Sequence, residues 1–88
     1  MNRIKEHIIE LYSDTEDVMF ADGLDDAIIG FEPQWWRVVY SRNKVVDIFI
    51  SRDKMSPDEA IEFAEFNTFG AYLGKGTPIW VEDFLWDS

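Results

Sequence analysis

Ala27-Ile28-Ile29-Gly30-Phe31-Glu32-Pro33-Gln34-Trp35-Trp36-Arg37-Val38-Val39-Tyr40 is the stretch on which the architecture turns. Its two halves, 27–31 and 35–40, are rich in β-branched and aromatic side chains, which fit a pleated, half-buried surface. Glu32-Pro33-Gln34 separates them with turn chemistry, so the stretch predicts an antiparallel hairpin.

Downstream, Asn43 to Ile50 is ambiguous. Val45, Ile48 and Phe49 follow helical spacing, while the β-branched content would also suit a strand. The polar opening Ser41-Arg42-Asn43, and the apolar side chains a strand would leave exposed, favour helix. Ser56-Pro57-Asp58-Glu59 is the clearest local signal. Ser56 can cap, Pro57 suits the first helical position, and Glu59 can reach back to complete a capping box. A helix from there should pass through Ile61, Phe63, Ala64, Phe66 and Phe69 to near Leu73. Gly74 and Gly76 then stop it before a last strand, Pro78-Ile79-Trp80-Val81.

Upstream, Ile4, Ile8, Leu11 and Tyr12 mark one face of a helix from about Asn2 to Tyr12. Ser13 to Asp26 holds six acids and the turn pair Asp22-Gly23, which predicts an exposed loop with a short extended piece around Val18–Phe20. The resulting order is α-β-β-α-α-β. It is an α+β fold, with a small antiparallel sheet of about three strands packed by about three helices. Residues 1–83 form a single domain in this reading, and 84–88 form a short aromatic tail.

The 88 residues carry eighteen acids and eight bases, a formal charge of −10. The charge is divided into blocks: −7 over residues 1–32, +3 over 33–54 and −6 over 55–88. Hydrophobic residues make up 47% and aromatics 16%, too many for a disordered acidic tail, so the acids must clothe a real core. The absence of cysteine removes disulfides and thiolate chemistry together and fits a reducing compartment. Charged residues arrive at once after Met1, and no apolar run approaches the roughly 20 residues of a membrane helix. Cytoplasm is therefore the expectation, with no signal peptide and no membrane span. The charge also opposes direct binding to nucleic acid or anionic lipid.

Phe20-Ala21-Asp22-Gly23-Leu24-Asp25-Asp26-Ala27-Ile28-Ile29-Gly30, Arg37-Val38-Val39-Tyr40, Asp58-Glu59-Ala60-Ile61-Glu62-Phe63 with Phe66-Asn67 and Gly70-Ala71-Tyr72, and Thr77-Pro78-Ile79-Trp80 together form a pattern. Over roughly residues 4–83 it resembles a group of short, acidic, uncharacterised proteins encoded by tailed phages and prophages. The resemblance implies a phage accessory role in the host cytoplasm and brings no activity to particular residues.

Asp22, Asp25 and Asp26 are the weak candidates for a divalent metal site, since three carboxylates beside a glycine could hold a hard cation. Their spacing does not match an EF-hand loop, and an Asx-stabilised turn is the competing explanation. His7 is the lone histidine and stands between wet and apolar helix faces. No Ser-His-Asp pattern, phosphate loop or HExxH occurs, so neither a catalytic residue nor a cofactor is predicted.

Asp58, Glu62 and Glu65 fall at i, i+4 and i+7 and make one acidic stripe, either a solvated face or a recognition surface. Full DNA mimicry asks too much. A globule of about 12 Å radius of gyration spans about one duplex turn, which carries about 18 phosphates. The chain owns eighteen acids in all, and the basic strip Arg37, Arg42, Lys44, Arg52 and Lys54 interrupts them.

Adjacent strand residues point to opposite faces, so one of Trp35 and Trp36 should stand on the side of the sheet that the helices leave open. That indole is either a docking anchor or is covered by the tail through Phe84 and Trp86. The functional expectation is a non-enzymatic interaction module that binds and inhibits a host or defence protein with a basic surface. Asp58, Glu62 and Glu65 would steer the encounter, and Trp35, Trp36 and Trp86 would anchor it. A small metal-binding protein or enzyme centred on Asp22, Asp25 and Asp26 is one alternative. A homo-oligomeric structural component is another.

Overall fold

The hairpin is present in the computed structural model, which describes residues 3–12, 18–70 and 76–83. Strands β1 (Ile28–Glu32) and β2 (Arg37–Ser41) pair antiparallel. Both lie one or two residues later than the residue pattern suggests. Ala27 closes a 3-10 turn (Asp25–Ala27), and Trp35 and Trp36 belong to the connection rather than to a strand. The reason is local. The carboxylate of Glu32 accepts the N–H of Gln34 at 2.9 Å and of Trp35 at 2.8 Å, which closes the turn before the second strand can begin.

Ile28 pairs with Tyr40, yet Gly30 pairs with Val39, so β1 carries a bulge at Ile29. The extra residue puts Ile28 and Phe31, three positions apart, on the same side as Tyr40 and Val38. A regular strand would have sent them to opposite faces.

A third strand, β3 (Ile79–Val81), pairs with β2 in parallel, so the sheet is mixed and not antiparallel throughout. The chain leaves β2 through two helices and returns along the far edge. A crossover of that length can deliver a parallel neighbour, whereas a tight turn can only deliver an antiparallel one. Arg37 helps hold this edge, its Nε donating to the Thr77 carbonyl at 2.5 Å.

Ser41 ends β2 and caps α2 (Arg42–Asp53), which settles the ambiguous segment as helix. Its Oγ accepts the Lys44 N–H at 3.2 Å and donates to the Asp83 carboxylate. Helix α2 stops at Lys54, which takes φ 61, and the N–H groups of Lys54 and Met55 both reach the Phe49 carbonyl. Helix α3 (Pro57–Ala64) opens with the expected capping box. Glu59 N donates to Ser56 Oγ at 3.2 Å, and Ser56 N donates to Glu59 Oε1 at 3.1 Å.

Beyond Ala64 the helix widens into one π turn (Glu65–Phe69), where continued α-helix was expected; residues 71–75, including Leu73, lie outside the described residues. The packing explains the widening. Ala60 and Ala64 are fully buried, and Phe69, five positions on, reaches Trp80 with ring centroids 5.5 Å apart. In α register the next inward position would be near Thr68, so one extra residue brings the aromatic round to the core.

Helix α1 (Arg3–Leu11) packs on β1, and α2 packs on both β2 and α3. One buried cluster joins Ile8 of α1, Ile28, Val38 and Tyr40 of the sheet, Val45 and Phe49 of α2, and Ala60 and Ala64 of α3. The described part of the acidic loop, residues 18–26, is less exposed than its composition suggests. Val18, Phe20 and Ala21 pack against the core without forming a strand, and Leu24 is buried. Two bonds pin it: Tyr40 Oη accepts the Ala21 N–H at 2.6 Å, and Arg52 Nη1 donates to the Gly23 carbonyl at 2.6 Å. Among the described residues, no helix is long and apolar enough to cross a membrane.

Candidate functional site

The tip of the β1–β2 hairpin separates the paired tryptophans, though not by strand alternation. Trp36 takes φ 58, a left-handed conformation uncommon for a bulky residue. This turns its indole back onto the molecule. The ring meets Tyr12 edge-on at 5.2 Å and Phe31 at 5.8 Å, and those two stack at 4.5 Å. Such aromatic contacts offset backbone strain of about 1 kcal/mol or more. Trp35 makes no such ring contact among the described residues and is 59% exposed. Phe84 and Trp86, the sequence-based candidates for its cover, lie outside the described residues.

Beside this aromatic trio runs a groove of about 430 Å³, walled by Ile4, Ile8, Leu11 and Tyr12 of α1 and by Phe31 of β1. Gly30 lines it as well, and a side chain there would meet open space. His7 is exposed along the same groove.

Asp58, Glu62 and Glu65 are all exposed and have no hydrogen-bond or ion-pair partner among the described residues. Glu59 differs, because hydrogen bonding from Ser56, first its backbone N–H and then its side chain, holds the carboxyl below the usual glutamate range. Apolar side chains lie beside the stripe. Ile61, Phe63 and Phe66, which the helix was read as passing through, are exposed, Phe66 by 81%. Ala60 and Ala64 take the inward places, because small side chains let α3 approach α2 closely. That pair of alanines, four apart, was the signal available in the sequence. The π turn adds to the effect by turning Phe69 inward and leaving Phe66 in solvent.

The three aspartates are not brought together as a ligand set. Asp25 pairs with Lys5 at 3.0 Å, while Asp22 and Asp26 are exposed. Among the described residues, no group of three or more His, Cys, Asp or Glu could hold a metal ion. The local bonds, Leu24 N to the Ala21 carbonyl and Ala27 N to the Leu24 carbonyl, are those of a turn leading into β1.

The basic strip is largely consumed by the fold. Arg37 holds Thr77, the Arg42 guanidinium lies 4.4 Å over the Phe69 ring, and Arg52 joins Gly23 to Asp53. The guanidinium also holds the Asp53 carboxyl below the usual range. With these cations engaged, the carboxylates of α3 are left facing solvent.

Compared with protein-family models, with curated proteins and with solved structures, the chain matches none.

Proposed function

We propose that this chain is a non-enzymatic, acidic protein-interaction module. The observation that carries the reading is Trp35. It is a large indole left in water at the tip of a hairpin whose backbone is fixed by the Glu32 bonds and by the packing of Trp36. An exposed tryptophan on a rigid support loses little entropy on docking and is the commonest kind of binding anchor. The exposed carboxylates Asp58, Glu62 and Glu65 suit a partner with a basic surface, which they would draw in by long-range attraction. Resemblance to short phage proteins supports a host or defence protein as the target, inhibited in the host cytoplasm.

The test is affinity capture from a bacterial host lysate with wild-type protein and with Trp35→Ala, followed by affinity measurement on the captured partner. The expected result is a loss of about tenfold or more for Trp35→Ala, together with weakening as salt is raised. Equal affinity of the two proteins at both low and high salt would exclude this role.

A further inference from the structure

The outer face of α3 and its π turn combines two features. The first is apolar: Ile61, Phe63 and Phe66 are all exposed, Phe66 almost wholly so. Met55, Phe63 and Phe66 also border a groove of about 260 Å³ that Glu59 and Glu62 help to line. The second is charge. Residues 57–69 hold four acids and not one base.

We infer that this face docks a basic amphipathic segment of another protein, an apolar side chain entering the groove while lysines or arginines meet Asp58, Glu62 and Glu65. The inference rests on the reading of the chain as an interaction module and names the chemistry of its partner. Charge complementarity selects the occupant. Nucleic acid and anionic lipid are repelled by the same carboxylates that a basic segment would neutralise. A second copy of a chain of charge −10 is disfavoured by the same repulsion. The groove is also smaller than the roughly 300–1,000 Å³ of small-molecule sites and opens along a helix, which suits one side chain of a longer segment.

The geometry also explains why the face is stiff enough to bind. Phe63 leans edge-on against Phe49 of α2 at 5.1 Å, and Asn67 Nδ2 donates to the Phe63 carbonyl at 3.2 Å across the π turn. The π turn commits Phe69 to the core and leaves Phe66 outward, so the docking face and the core contact come from one local distortion.

The probes are three peptides of about 14 residues, long enough to span the face. One is a helical Leu/Lys/Ala peptide, one has Glu in place of Lys, and one has Lys but no Leu. Amide shift mapping and titration are the readouts, on wild type, Phe66→Ala and Glu62→Gln plus Glu65→Gln. Since all three substituted side chains are exposed, the variants should fold, and circular dichroism checks this. The expected result is binding by the Leu/Lys/Ala peptide alone, with shifts confined to residues 55–69. Affinity should fall about tenfold in each variant and again as salt rises from about 50 mM to about 500 mM.

Four outcomes would overturn the inference: shifts spread over all acidic surfaces, equal binding of the Lys peptide without Leu, binding of the Glu peptide, or self-association through this face in sedimentation. Shifts that map instead to Trp35 or the α1–β1 groove would overturn it while leaving the interaction reading intact. Conversely, tight peptide binding at α3 beside a captured partner indifferent to Trp35→Ala would sink the hairpin reading and keep this one.

Discussion

Tyr40 and Ala21, nineteen residues apart, are joined by a 2.6 Å hydrogen bond in which the tyrosine oxygen accepts the alanine N–H. Tyr40 is fully buried in the central strand, so the bond ties the acidic loop to the middle of the sheet. Tyr40→Phe keeps the ring and strands the Ala21 N–H, and should cost about 1–3 kcal/mol in urea unfolding. The same burial pushes the phenol up to about 12, with the Ala21 N–H opposing the shift and Asp25 adding to it. A raised phenol means that the unfolded chain loses this proton first. The contribution is therefore intact below pH 10 and is lost as pH climbs toward 12. Wild type should lose stability across that window more steeply than Tyr40→Phe, and matching alkaline slopes would contradict the assignment.

Ser41 is where strand becomes helix, and its hydroxyl serves Lys44 N–H and the Asp83 carboxylate at once. Ser41→Ala should cost about 1–2 kcal/mol, the usual range for a lost N-cap. Ser41→Thr, which can retain both bonds, should recover part of that. Amide exchange at the first turn of α2 would report the loss locally, and unchanged exchange there would refute the capping role.

Much of this architecture was legible because it is written in neighbours. The capping box at Ser56 and Glu59, the hairpin between two β-rich runs and the helix from Asn43 all depend on residues within a few positions of one another. What escaped reading depends on distant partners. A three-residue strand such as Ile79–Val81 carries no mark of its direction, which follows from the crossover before it. Trp36 looks like a strand residue and is held at φ 58 by Tyr12 and Phe31, from different elements. Phe66 and Phe69 are indistinguishable by type, and only the demand of Trp80 sends one inward and the other out. The candidate site was half visible for the same reason: its carboxylates follow helical spacing, while nothing in the local sequence marks which aromatics of the same helix stay outside.

The Glu59 carboxyl lies below its ordinary 4.5 because the Ser56 backbone N–H donates to its charged form. A depressed carboxyl contributes stability above the unfolded value, and that contribution disappears as pH falls through the folded one. Acid titration followed by NMR should show the Ser56 amide shift moving with the Glu59 carboxyl, at a midpoint below the ordinary glutamate value. In Glu59→Gln, which keeps an uncharged acceptor, the Ser56 amide should no longer titrate. An amide that still titrated in the variant would place the charge elsewhere.

The π turn tests the account of how α3 meets the core. Ala60, Ala64 and Phe69 face inward at spacings of four and then five. Phe69→Ala removes the contact with Trp80 and the ring under Arg42, and should cost about 2 kcal/mol. Deleting Thr68 instead places the same phenylalanine four positions after Ala64, where an ordinary α turn points it inward. The deletion should therefore cost less than Phe69→Ala in urea unfolding and should raise helicity slightly. If deletion proves as damaging as loss of the ring, then the widened turn is needed for something other than the phenylalanine's register, and the packing explanation for it fails.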